Sequence, residues 1–79
     1  MKWGAKEVMK RVTINTESIQ LDQLLKWANV AYSGGEAKQM IQSGIVFVNG
    51  KKETRRAHKI VPGDRITVLD LDEFVVAGH

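Results

Sequence analysis

The sequence predicts an α+β domain, with two short helices packed on a small, mainly antiparallel β-sheet. Three observations carry that prediction. Two stretches repeat apolar residues at helical spacing: Leu21, Leu24, Leu25 and Ala28 stand at i, i+3, i+4 and i+7, and Ala37, Met40 and Ile41 follow shortly after. Short runs rich in β-branched residues lie outside these stretches, at residues 12–15, 45–48 and 65–69. Between the second and its polar continuation stands Asn49-Gly50, a strong hairpin signal because both residues tolerate the positive φ of a type I′ turn.

Taken in order, residues 1–11 have weak apolar spacing (Trp3, Val8) among the cations Lys2, Lys6, Lys10 and Arg11, and read as a flexible or short helical segment. Residues 12–76 read as a single domain. Val12-Thr13-Ile14-Asn15 alternates as a strand, and Thr16-Glu17-Ser18 supplies polar residues suited to a helix start. In the first helix Asp22 lies near the positive end of the dipole and Lys26 near the negative end. Ser33-Gly34-Gly35-Glu36 is a capping box, in which the Ser33 hydroxyl accepts from the Glu36 N–H and the Glu36 carboxylate reaches back. Gly44 is the expected left-handed residue ending the second helix. Ile45-Val46-Phe47-Val48 is a buried strand, and Lys51-Lys52-Glu53-Thr54 returns as an exposed, charged edge. Val61-Pro62-Gly63-Asp64 makes a tight turn, Arg65-Ile66-Thr67-Val68-Leu69 alternates as a strand, and Asp70-Leu71-Asp72 turns into a last strand at residues 73–76.

Composition excludes several classes. Seventy-nine residues fit one small domain that buries only roughly 60% of its unfolded surface. Hydrophobic content of 43% with 27% charged residues is that of a folded protein. Without cysteine there is neither a disulfide nor a thiolate metal site, and His58 and His79 are too isolated for a metal cage. Apolar runs of about four residues fall far short of the roughly 20 needed to span a bilayer, and the N-terminus has no secretory core segment. A soluble, cytoplasmic domain is the expectation. No phosphate loop, Ser–His–Asp set or carboxylate cluster suggests an enzyme, and neither cofactor nor small-molecule substrate is implied. Asp70, Asp72 and Glu73 read as a solvated acidic turn rather than a metal site.

Charge is unevenly placed. Residues 51–59 carry Lys51, Lys52, Arg55, Arg56 and Lys59 against Glu53 alone, a net +4 that exceeds the +3 of the whole chain. A basic run in isolation is often just a solvated loop; concentrated beside a neutral or acidic remainder, it points to nucleic acid or another anionic partner.

The ordered signals QLDQLLKWANV, SGGEAKQMIQSGIVFVNGKKE and KIVPGDRITV resemble the small RNA-binding domain of the ribosomal protein S-four type, the alpha-L RNA-binding motif. The matching residues are Leu21, Asp22, Ser33, Ala37, Ile41, Gly44, Val46, Val48, Asn49, Gly50, Gly63 and Asp64, and the likeness covers roughly residues 12–69. The Ser-Gly-Gly-Glu-Ala-Lys and Glu-Thr-Arg-Arg stretches look most like the stand-alone bacterial branch of YaaA/YbcJ-type proteins. The resemblance implies binding of structured RNA, ribosomal RNA above all, through the second helix and the hairpin and loop after it. It also implies a ribosomal subunit or precursor as partner, and a role in ribosome assembly or translation. Many family members carry arginine where this chain has Gly34 and Gln20, so the RNA surface is expected to lean on Lys38 and on residues 51–59.

The residue types suit phosphate. Arg55 and Arg56 offer planar forks, whereas Lys51, Lys52 and Lys59 are mobile point charges. Neighbouring strand positions face opposite ways, so about half of them address one groove. With roughly three to five phosphates neutralised, log affinity falls against log salt with a slope of about −2 to −4. The Gly34 and Gly35 amides open a helix, where a phosphate fits, and Lys38 with Gln42 one turn on extends that patch. Asn49 serves the turn, His58 is an incidental loop residue, and Trp27 and Tyr32 are expected to pack on the core rather than stack on bases. Recognition is therefore by shape and backbone, by a monomer. Two alternatives stand beside this reading. One is a ubiquitin-like β-grasp interaction module, disfavoured by the Val-Ala-Gly-His ending and the two consecutive helices; the other is a DNA-binding accessory protein, since phosphate contacts do not report the sugar.

Overall fold

The computed structural model describes residues 10–79. Residues 1–9 of the expected N-terminal segment lie outside the described residues; Lys10 and Arg11 already belong to the first strand. The elements in chain order are β1 (Lys10–Ile14), β2 (Ile19–Gln20), α1 (Leu21–Trp27), α2 (Gly34–Gln42), β3 (Val46–Val48), β4 (Lys51–Lys52), β5 (Lys59–Ile60), β6 (Arg65–Val68) and β7 (Asp72–Gly78).

Alternation along the longer strands decides which way the sheet faces. Val12 and Ile14, Val46 and Val48, Ile66 and Val68, and Phe74 and Val76 are all buried, each pair two positions apart as one face of a pleated strand requires. The five-stranded sheet runs in the order β1-β7-β6-β3-β4. β1 pairs with β7 in parallel, with Lys10 opposite Phe74 and Ile14 opposite Gly78, and the other three pairings are antiparallel. Leu21, Leu24 and Leu25 of α1 and Ala37 and Ile41 of α2 close the apolar face, all with no exposed surface. Met40, at the margin of the expected stripe, is only partly buried against this core.

Local chemistry sets the ends of α2. The Glu36 N–H donates to Ser33 Oγ at 3.1 Å, as the capping box requires, but Glu36 Oε1 accepts from Tyr32 N at 2.6 Å, one residue further out than expected. Gly44 has φ +87, and a Cβ there would meet Lys52 Nζ at 3.3 Å. The left-handed backbone is what favours glycine at this position, since the Lys52 side chain can move aside.

The start of α1 differs from expectation. The polar residues 16–18 form a loop, with Thr16 Oγ1 donating to the Ser18 carbonyl, and Gln20 precedes the helix in extended conformation without a side-chain cap. Instead the chain supplies backbone acceptors from far along the sequence. Leu21 N donates to the His58 carbonyl at 2.9 Å and Asp22 N to the Arg56 carbonyl at 3.1 Å. Beside them β2 pairs with β5, Ile19 opposite Ile60 and Gln20 opposite Lys59. Two of the orphan amides that every helix start presents are satisfied by the basic segment. That segment is therefore part of the fold's frame.

The hairpin has the predicted turn, with Asn49 at φ +53 and Gly50 at φ +86. Asn49 also lashes the turn to the next one: its Nδ2 donates to Asp64 Oδ1 and its Oδ1 accepts from Arg65 N, both at 2.9 Å. The return strand β4 is only two residues long, shorter than the four expected.

Candidate nucleic-acid interface

From β4 to β5 the chain carries all five expected cations, and its backbone is held at both ends. Lys51 and Lys52 pair with Val48 and Phe47 of β3, and Glu53 N donates to the Val46 carbonyl at 3.0 Å. At the far end Ile60 is fully buried and anchors β5. The side chains of Lys51, Lys52, Arg55, Arg56 and Lys59 are exposed. They differ in how much of their charge is available to a partner.

Arg55 is already engaged. Its Nε donates to Glu53 Oε2 at 2.9 Å and its Nη2 to Glu53 Oε1 at 3.2 Å, the two-pronged geometry that a phosphate would also take. Arg55 N donates to Glu53 Oε2 as well, and His58 Nδ1 lies 3.2 Å from Glu53 Oε1. The Glu53 side chain keeps 12% exposure while Arg55 keeps 74%. The Arg55 side-chain hydrogen bonds hold the Glu53 carboxyl down at about 2, against an opposing effect of burial, with smaller contributions from the Arg55 amide and the charges of His58 and Arg55. The same pairing raises the Arg55 guanidinium further above its already high value. Glu53 is the residue that sequence reasoning missed: one acid within a basic run reads as dilution of charge, and nothing local shows that it organises the loop. His58, expected to be incidental, belongs to this cluster and also caps α1 through its carbonyl.

Among the described residues Lys38, Lys51, Lys52, Arg56 and Lys59 have no carboxylate partner. Lys52 lays its stem over Gly44, so its ammonium lies by the carboxyl end of α2, where the helix dipole favours a cation. This brings Lys52 to the end of the helix that carries Gln42. Lys38 and Gln42 are both exposed on α2. Gly34 and Gly35 stand at the other end of this nine-residue helix, roughly 13 Å away at 1.5 Å per residue. They are thus not gathered into one cluster with the hairpin cations. A Cβ at Gly34 would meet nothing within 4 Å, so packing does not demand glycine there.

The chain matches the S4 domain family over residues 12–77. It belongs to that family. Over 65 residues it is 38% identical to the probable ribosome maturation protein RlbA of Bacillus subtilis (strain 168), spanning 82% of this chain and 92% of the relative. It is also 41% identical over 49 residues to the small ribosomal subunit protein uS4m of Schizosaccharomyces pombe, and 37% identical over 57 residues to Hemolysin A of Brachyspira hyodysenteriae. Those matches span 62% and 72% of this chain but only 15% and 24% of the two longer relatives.

In this S4 domain Gln20, which stands where many relatives were expected to carry arginine, lies opposite Lys59 across the β2–β5 ribbon. A cation is present there, supplied by the partner strand. The aromatic expectations are corrected. Tyr32, just before the Ser33 cap of α2, is 97% exposed. Trp27 is 53% exposed and donates from Nε1 to the Thr13 carbonyl at 2.7 Å, so it ties α1 to β1 from outside the core. The acidic turn is partly used within the fold: Asp72 Oδ2 accepts from Lys10 Nζ at 2.7 Å and Glu73 Oε2 from Thr67 Oγ1 at 3.4 Å. Among the described residues no group of three or more ligand side chains is placed to hold a metal, and no helix is long and apolar enough to cross a membrane.

Proposed function

We propose that this chain is a non-catalytic RNA-binding protein that recognises structured RNA, ribosomal RNA above all, in ribosome assembly or translation. The observation that carries the reading is the basic segment itself. Its backbone is pinned to β3, to β2 and to the start of α1, while Lys51, Arg56 and Lys59 project without carboxylate partners. Pinning the backbone reduces the chain entropy lost when phosphates bind, so a preformed array gains more from the same charges than a mobile tail does. Lys38 and Gln42 extend the array along α2, at whose carboxyl end Lys52 is folded over Gly44. Membership of the S4 domain family, and relatives named for ribosome maturation and for the small ribosomal subunit, support this reading over a ubiquitin-like interaction module.

Recognition of this kind reads the spacing of phosphates and the shape of a folded RNA, not base sequence. The chain acts as a monomer. Crosslinking in cells followed by sequencing of the bound RNA, with gradient fractionation of ribosomal particles beside it, tests the proposal. Recovery of ribosomal RNA and co-sedimentation with a subunit or precursor is the expected result. Recovery of DNA, or of no nucleic acid, overturns it.

A further inference from the structure

Beside the basic segment lies a hollow lined by Ile19, Gln23, Lys26 and Trp27. Gln23, Lys26 and Trp27 share a side of α1 at spacings of three and four residues, and Ile19 closes the hollow from β2. The hollow is a shallow depression, largely open to solvent, of about 270 Å³, smaller than the roughly 300–1,000 Å³ of sites that enclose drug-sized ligands. A single planar group fits such a space better than a cofactor does. Trp27 is not simply a loose surface residue: the hydrogen bond from Nε1 to the Thr13 carbonyl fixes the indole, yet half of its surface stays exposed.

We propose that this hollow binds one unpaired nucleobase of the RNA, stacked on the Trp27 indole. The inference rests on the RNA-binding reading above and adds a base site to its phosphate contacts. Each lining residue has a part in it. The indole supplies the stacking face, and Ile19 an apolar floor. The Gln23 amide offers a donor and an acceptor side by side, which suits the polar edge of a base. The Lys26 ammonium stands at the rim for the phosphate that accompanies the nucleotide. The surroundings favour a nucleotide over an apolar peptide side chain. Asp22, the residue before Gln23, donates its N–H to the carbonyl of Arg56, so the backbone of the basic segment reaches the start of α1 that carries the hollow. An RNA held at Arg56 is thereby within reach of the hollow, and a base that has left the helical stack has somewhere to go.

The test uses the full chain carrying Trp3→Phe, which leaves Trp27 as the sole indole, and two RNA hairpins that differ only by a single-nucleotide bulge in the stem. The expected result is quenching of Trp27 emission by the bulged hairpin alone, which also binds about tenfold more tightly, as one stacked base provides. Trp27→Ala, made in the unaltered chain and read by filter binding, removes that preference and leaves the affinity for the paired hairpin unchanged. Gln23→Ala, an exposed change that keeps the indole and its tie to β1, reduces the preference by several-fold and guards against a folding artefact in the first variant. Equal quenching by both hairpins, or a bulge preference that survives both variants, overturns the base site and leaves the electrostatic reading standing. Failure of the parent chain to bind either hairpin overturns both readings. A concentration-dependent shift of Trp27 emission without RNA assigns the hollow to a second copy of the chain and overturns the proposal.

Discussion

On the proposed reading, salt dependence separates the cations that would act on RNA from those the fold has already used. Arg55 has both prongs of its fork on Glu53, and Lys52 is folded over Gly44. Lys38, Lys51, Arg56 and Lys59, which have no carboxylate partner among the described residues, are the proposed phosphate contacts. At about 0.7–0.9 counterions released per phosphate, neutralising about four phosphates gives a log–log slope of roughly −3 to −3.5. Raising monovalent salt from about 50 to 200 mM then weakens binding by about 50- to 150-fold. The double variant Arg56→Ala, Lys59→Ala leaves about two contacts, a slope of roughly −1.5 to −2, and only about a tenfold loss over the same range. Arg55→Ala alone is expected to change the slope less than Arg56→Ala alone does, because its charge is already compensated. Folding is not at risk in the double variant, since both side chains are exposed and the carbonyl caps and ribbon pairing belong to the backbone. Surface changes of this kind stay within about 0.5 kcal/mol. Fluorescence anisotropy with a ribosomal RNA hairpin at four or five salt concentrations measures the slope. A double variant with the parent slope, or Arg55→Ala alone matching the double variant, refutes the reasoning.

Three further outcomes follow from the same geometry. Asn49→Ala loses two hydrogen bonds of about 1 kcal/mol each and places alanine at positive φ for about 1 kcal/mol more; Asn49→Gly relieves only the last of these, so urea unfolding should rank the parent above Asn49→Gly and that above Asn49→Ala. The Glu53 carboxyl is depressed from the usual 4.5 to about 2, so its contribution to stability is complete above about 4.5 and disappears as pH falls through about 2; Glu53→Gln should therefore flatten the acid limb of the melting-temperature profile within that window and leave the profile's shape at neutral pH unchanged. Phe74 is fully buried on β7, opposite Ile66 of β6, and Phe74→Ala should cost about 3–5 kcal/mol, a large part of the stability of so small a domain, visible as a lowered unfolding midpoint in circular dichroism.

The elements that were legible in the sequence are those whose signals are local. A 3.6-residue stripe identifies α1 and α2, a hydroxyl three residues ahead of a glutamate caps α2, and positive-φ residues mark the ends at Gly44 and Asn49-Gly50. What escaped depends on contacts between distant residues. The β2–β5 ribbon joins two pairs of residues some 40 positions apart, each too short to carry a period. The carbonyls of Arg56 and His58 that cap α1 leave no trace in side-chain type, so the polar run at 16–18 looked like the better helix start. The parallel β1–β7 pairing is likewise a matter of topology, invisible in strand patterning. For the site, the position of the cations was legible and their availability was not. Charge is a property of composition, whereas the engagement of Arg55 by Glu53 is a property of geometry.

The basic segment therefore serves two purposes that mutagenesis can separate. Its cationic side chains are exposed, and its carbonyls hold α1. Neutralising side chains should alter affinity with the fold intact, while shortening residues 53–58 should unfold α1 even if every cation is kept, because Leu21 and Asp22 would lose their acceptors at the buried start of the helix. A helix of seven residues has too little stability of its own to survive uncapped. A charge array on a free tail could be trimmed without such a penalty. Coupling the array to the first turn of a core helix fixes where the charges stand relative to α2, and on the proposed reading that fixed spacing would distinguish recognition of one folded RNA from attraction to any polyanion.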